Sequence, residues 1–216
     1  MDAVVFDLDG VIVDTEHVWD EVREQLTRDW DGSYSAEAQR AMMGMSSTEW
    51  SRYMHEELGL RQSPEEINAE VVRRMLARYA EDLPLVPGAV AAVDRLAAAG
   101  LRLAVASSSN RPLIDAVLAS AEIEGAFAAA VSSEEVERGK PAPDVYLEAA
   151  RRVGVPPGRC AAVEDSANGL RSAHTAGMRV LALPNRVYPP ADDALALADQ
   201  VLDSLDELTP ELVRSL

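Results

Sequence analysis

Ala3-Val4-Val5-Phe6-Asp7-Leu8-Asp9-Gly10 decides the fold: four apolar residues run unbroken into two acids, two positions apart, and a glycine. Such a run reads as a strand buried on both faces, and the change to Asp and Gly marks its end in a polar turn. Four later runs repeat the pattern. Leu101 to Ala106 stops at Ser107, Ala128 to Val131 at Ser132, Cys160 to Val163 at Glu164, and Arg179 to Leu183 at Pro184. Between them lie helical periods, from Ala89 to Ala99 closed by Gly100, Asp144 to Val153 closed by Gly154, and Ser166 to Ala176 closed by Gly177. Strands alternating with helices of about ten residues predict right-handed crossovers. The fold class is therefore α/β, a Rossmann-like parallel sheet with helices on both faces.

Residues 14–83 break the alternation. They hold helical periods only, with Val18, Val22 and Leu26 in one segment, Trp50, Tyr53, Met54 and Leu58 in a second, and Ile67, Val71 and Tyr79 in a third. The third has a start signal in Ser63, Pro64 and Glu66. The pattern predicts a helical cap domain at 14–83, inserted into a core made of 1–13 and 84–216, with hinges near Asp14 and Leu83. Trp19 and Trp50 are expected as anchors of the cap core.

Of 216 residues, 48% are hydrophobic and 26% charged, enough to bury a core without cross-links. Thirty-seven acids against 20 basic residues give a formal charge of −17, which disfavours nucleic acid and anionic membranes as partners. A single cysteine, Cys160, excludes an internal disulfide and reads as a small buried hydrophobe. No terminal stretch resembles a signal peptide or a membrane span, so a soluble, cytoplasmic protein is expected. The acids Glu134, Glu135 and Glu137 read as a solvated face. Nothing in the sequence separates a monomer from a weak homodimer.

In an open parallel sheet the ligand crevice lies beyond the carboxyl ends of the strands. Asp7 and Asp9 follow the first strand, Ser107 the second, Lys140 a loop after the third, and Glu164 with Asp165 the fourth. Lys140 is the only lysine beside 19 arginines. Four carboxylates in one crevice repel one another and call for a cation. All-oxygen donors, with no His or Cys at zinc spacing, favour Mg²⁺. One of the paired acids can attack phosphorus while the other moves a proton. Lys140, Ser107 and loop N–H groups would then stabilise the charge that spreads over the phosphoryl oxygens.

FDLDGVIVDTE at 6–16, ASSSN at 106–110, GKPAPD at 139–144 and VEDSANG at 163–169 resemble, in order, the four motifs of the haloacid dehalogenase-like superfamily. The resemblance covers essentially the whole chain. It is closest to the helical-cap branch that includes β-phosphoglucomutase and many small-molecule phosphatases. It implies that Asp7 is a nucleophile that becomes an aspartyl-phosphate and also ligates the metal. Asp9 would be the general acid and base and would ligate through its backbone carbonyl. Ser107, Ser108 and Lys140 would bind the phosphoryl group, and Glu164 with Asp165 would complete the Mg²⁺ site.

Dehalogenases of this superfamily lack an acid two residues after the nucleophile and phosphonatases carry a small residue there, so Asp9 leaves phosphate esters as substrates. A His and an Arg of the β-phosphoglucomutase cap align with Trp19 and Ser47. The implied activity is therefore a Mg²⁺-dependent phosphatase for a small phosphorylated metabolite, with a phosphomutase as the alternative. Sugar phosphates, phosphoglycolate and nucleoside monophosphates all remain open. Substrate selection falls to Trp19, Gly44, Ser46 and Ser47, beside an adaptable lining from Met42, Met43 and Met45. None of His17, His55 and His174 is expected to act in catalysis.

Overall fold

The computed structural model describes residues 1–43, 45–185 and 189–216, so Gly44 lies outside the described residues. The elements follow in order: β1 (Ala3–Phe6), α1 (Glu16–Asp29), α2 (Ala36–Met42), α3 (Ser47–Glu56), α4 (Pro64–Glu81) and α5 (Ala89–Ala98). Then come β2 (Arg102–Ser107), α6 (Arg111–Ser120), β3 (Phe127–Ser132), α7 (Asp144–Val153), β4 (Cys160–Glu164) and α8 (Ala167–Thr175). The chain ends with β5 (Arg179–Ala182), α9 (Asp192–Leu195), β6 (Gln200–Val201) and α10 (Pro210–Ser215). The six strands pair in parallel in the order β3-β2-β1-β4-β5-β6. The α/β expectation holds, with β6 and several helices added to it.

Alternation along each strand sorts the core into two faces. Val4, Phe6, Leu103, Val105, Val163 and Leu181 point to one side, where α5 and α6 pack, and α4 joins the same core through α6. Ala3, Val5, Ala104, Ala106, Ala162 and Ala182 point to the other, where α7 and α8 lie. Alanines on that second face let the two helices approach closely, which brings their residues to the strand ends. Cys160 is buried there, and burial pushes its thiol up to about 11, so it is unreactive.

Between β1 and α5 the named elements of the described residues are the helices α1 to α4. Val18, Val22 and Leu26 on α1, Trp50 and Met54 on α3, and Ile67, Val71 and Tyr79 on α4 are buried together. The Ser63 capping box forms as its sequence requires: Ser63 Oγ accepts from Glu66 N–H and the Glu66 carboxylate accepts from Ser63 N–H. The two chain crossings lie side by side. Asp14 N–H donates to Pro84 O at 2.7 Å, Val86 N–H to Ile12 O at 2.9 Å, and Val13 pairs antiparallel with Leu85. Among the described residues no helix is long and apolar enough to cross a membrane.

Candidate active site

Asp7 extends β1 by one residue, its N–H donating to Val163 O at 2.9 Å, so its carboxyl leaves the sheet beside the end of β4. Glu164 closes β4 and Asp165 follows it. One carboxylate oxygen from each of Asp7, Glu164 and Asp165 lies within 4.8 Å of the other two. Lys140, 5% exposed, enters from the loop before α7 and places Nζ 2.9 Å from Asp7 Oδ1 and 2.5 Å from Glu164 Oε1. Glu164 is saturated. Tyr146 Oη donates to its Oε1 at 2.7 Å, and Oε2 accepts from the N–H groups of Asp165 and Ser166 and from Ser166 Oγ.

Two glycines let this nest close. A Cβ on Gly10, whose φ is +79°, would stand 2.0 Å from Asp165 Oδ2. A Cβ on Gly169 would stand 1.8 Å from Glu164 Oε1, inside the fully buried carboxylate. Gly169→Ala should therefore turn Glu164 off Lys140 and lower stability by about 3 kcal/mol, roughly 10 °C in Tm. A calorimetric Tm within about 2 °C of the wild type would mean that Glu164 has room to turn.

The electrostatics are those of too many acids. Burial first, then Glu164 and Asp9, push the Asp7 carboxyl from 3.8 up to about 8, although Lys140 pulls it down. Asp165 is raised by burial, Glu164, Asp7 and Glu16. Burial alone would lower Lys140, but Asp7 and Glu164 together raise it, so the ammonium stays charged. Lys140 meets Asp7 Oδ1 as an ion pair at 2.9 Å, and that buried oxygen has no further hydrogen-bond partner. A buried Asp7 oxygen whose only partner is the Lys140 ammonium, two carboxyls whose pKa values burial and neighbouring acids raise, and an all-oxygen donor set fit a hard divalent cation.

Asp9 points away from that cluster. Its Oδ1 accepts from Thr15 Oγ1 and from Trp19 Nε1 at 3.0 Å, and its Oδ2 accepts from Ser109 Oγ at 2.7 Å. Ser107 is fully buried, and its Oγ accepts from Ser109 N–H at 2.9 Å within the loop. Ser108 and Ser109 line the cavity above Asp7, and Ser107 does not.

That cavity, of about 530 Å³, has Asp7, Asp9, Lys140 and Asp165 on its sheet side, and Trp19, Arg23, Arg40, Met42, Met43, Met45 and Trp50 on its helical side. The size suits a small metabolite. Trp19 is both packed and functional in position, 7% exposed with its indole N–H on Asp9. Ser46 starts α3, its N–H donating to Glu49 Oε2, and Ser47 Oγ donates to Glu134 Oε1 at 2.9 Å, so neither lines the cavity. Glu134 is exposed as expected, yet it also accepts from Asn110 Nδ2 at 2.6 Å and so joins α3 to the sheet side. Glu135, exposed as well, bonds Arg152, Arg111 and Ser132 N–H. His17 borders a different cavity.

Sequence reasoning missed Arg23, Arg40, Ser109 and Tyr146. Arg23 left a signal, because Trp19 and Arg23 continue the Val18, Val22, Leu26 stripe around the buried side of α1.

A family model described as haloacid dehalogenase-like hydrolase matches residues 1–177. Protein CbbY from Rhodobacter capsulatus is 34% identical over 227 aligned positions, covering 99% of this chain and 98% of that protein. Hexitol phosphatase B from Escherichia coli strain K12 is 32% identical, covering 96% of this chain and 94% of that one. The crystal structure of CbbY from Rhodobacter sphaeroides in complex with phosphate superposes with a TM-score of 0.88 at 27% identity, covering all of both chains.

Proposed function

The chain belongs to the haloacid dehalogenase-like hydrolases, and from that premise we propose that it is a Mg²⁺-dependent phosphatase for a small phosphorylated metabolite of the sugar or sugar-alcohol class. The observation that carries the reading is the buried Asp7 beside Lys140 and Asp165, with Asp9 opposite them across one cavity. Residues 14–83 act as a cap over a core formed by 1–13 and 84–216.

Lys140 Nζ and the hydroxyl and N–H group of Ser108, which lines the cavity above Asp7, hold the phosphoryl oxygens. An Asp7 oxygen attacks phosphorus, the bond to the leaving oxygen breaks, and Asp9 gives that oxygen its proton. Water then attacks the aspartyl-phosphate, Asp9 takes the water's proton, and Asp7 is released with inorganic phosphate. Asp9 is built for this shuttle, because three donors fix it while one lone pair on Oδ2 stays free. Asp7, Asp165 and the Asp9 carbonyl would hold Mg²⁺, which when bound neutralises the nest and the phosphoryl oxygens. Glu164, saturated by Lys140, Tyr146 and backbone N–H groups, fits the task of aiming Lys140 better than that of a ligand. Ser107 fits that of shaping the loop.

The phosphomutase alternative is weaker. Trp19 and Ser47 stand where that branch has its His and Arg, Trp19 is bonded to Asp9, and Ser47 is tied to Glu134. A panel of sugar and sugar-alcohol phosphates assayed with Mg²⁺ and with chelator tests the reading. Free phosphate released only with Mg²⁺ is expected. Conversion to an isomeric phosphate without release would give the mutase, and no reaction with any phosphate ester would refute both.

A further inference from the structure

Arg23 is a buried cation that the reaction at the strand ends does not use. It is 8% exposed, and its Cζ lies 4.6 Å from the Trp19 ring centre and 5.0 Å from that of Trp50. The two indoles cover the apolar surfaces of the guanidinium and leave its edge to other partners. Among the described residues no carboxylate forms an ion pair with it, and its Nε is buried without any partner. The acids that face it are engaged or distant: Asp9 is held by Thr15, Trp19 and Ser109, Asp20 accepts from Tyr34 Oη at 2.7 Å, and Glu16 lies outside ion-pair range.

A buried guanidinium without an ion-pair partner is unfavourable in the free protein, and a hydrocarbon of the same volume would pack against two tryptophans at least as well. The charge makes sense when an anion arrives with a ligand. Arg23 lines the same cavity as Lys140, and the Trp19 indole spans the gap, its N–H on Asp9 and its ring on Arg23. Arg40, exposed on α2, adds a second positive group at the cavity edge.

We infer that the substrate carries, besides the phosphoryl group above Asp7, a second anionic group, a phosphate or a carboxylate, seated on Arg23 with Arg40 beside it. This rests on the phosphatase reading and narrows it to doubly anionic metabolites, whose two charged ends stand one indole apart on a short carbon chain.

The test compares kcat/KM for matched pairs: a sugar monophosphate against the bisphosphate of the same sugar, and a phosphorylated alcohol against the phosphorylated acid of the same length. The wild type should prefer a doubly anionic member by about 30-fold, as expected for a charge-assisted bond, and largely through KM. Preference for the bisphosphate alone identifies a phosphate, and preference for the acid alone a carboxylate; either supports the inference. Arg23→Gln should reduce the preference to within roughly threefold, while Arg151→Gln, an exposed ion-pair variant, should keep it.

Should Arg23→Gln fail to fold, Arg23→Lys retains the charge and should retain most of the preference. The wild-type comparison needs no variant at all. Absence of preference in the wild type, or a preference untouched in folded Arg23→Gln, overturns the inference. Turnover of p-nitrophenyl phosphate by the wild type separately reports whether the phosphatase reading stands.

Discussion

Asp7→Asn should lower turnover of p-nitrophenyl phosphate by at least about 10⁴-fold, because an amide neither attacks phosphorus nor leaves a carboxylate to be phosphorylated. The fold should survive. The backbone N–H of residue 7 keeps its bond to Val163 O, and the amide has nearly the shape of the carboxyl that burial already holds protonated. In chelator the variant should equal the wild type in Tm below about pH 4 and exceed it increasingly up to about pH 8, because over that range unfolding lets the wild-type Asp7 ionise. Circular dichroism melts and initial rates on the same preparations decide the matter. A folded variant with a tenth of the wild-type rate or more would falsify the nucleophile assignment.

Removal of divalent metal should abolish phosphate release and make stability depend on pH in a defined direction. The folded carboxyl of Asp7 sits at about 8 against an ordinary 3.8. A raised carboxyl contributes stability that is complete below the ordinary value and is lost as pH climbs through the folded one. In chelator Tm should therefore decline between about pH 4 and about pH 8. Cation binding favours the ionised form and reverses the trend, so the gap between Mg²⁺ and chelator should widen as pH rises. At a hundredfold excess over Kd the gap corresponds to about 2.7 kcal/mol, roughly 5–10 °C in a chain of this size. Full activity in chelator, or a gap that ignores pH, would remove the cation from the account.

Five strands of the parallel sheet were legible because their interiors are apolar without alternation and their runs stop at Asp, Ser, Glu or Pro. The Asp144–Val153 helix matches its pattern in full, and the Ser63 cap forms as read. β6 was not legible, since Gln200 and Val201 are both exposed and only pairing with β5 makes them a strand. Within the candidate site, Asp7, Lys140, Glu164 and Asp165 were visible because each ends a local pattern. Their division of labour was not. The saturation of Glu164 depends on Tyr146 from another helix, and the Ser107 hydroxyl turns inward to Ser109. Arg23 escaped because its burial is made by Trp19 and Trp50, which meet only when α1 and α3 pack. Glu134 looked merely solvated because its partners, Ser47 and Asn110, are remote in sequence.

The sole lysine of the chain is locked as an ammonium between two carboxylates and shielded from solvent. Acylating reagents, which need a free neutral amine, therefore find no reactive lysine on the native protein. Slow incorporation of a label at Lys140 would register each opening of the strand-end nest, giving its exposure rate directly by mass spectrometry.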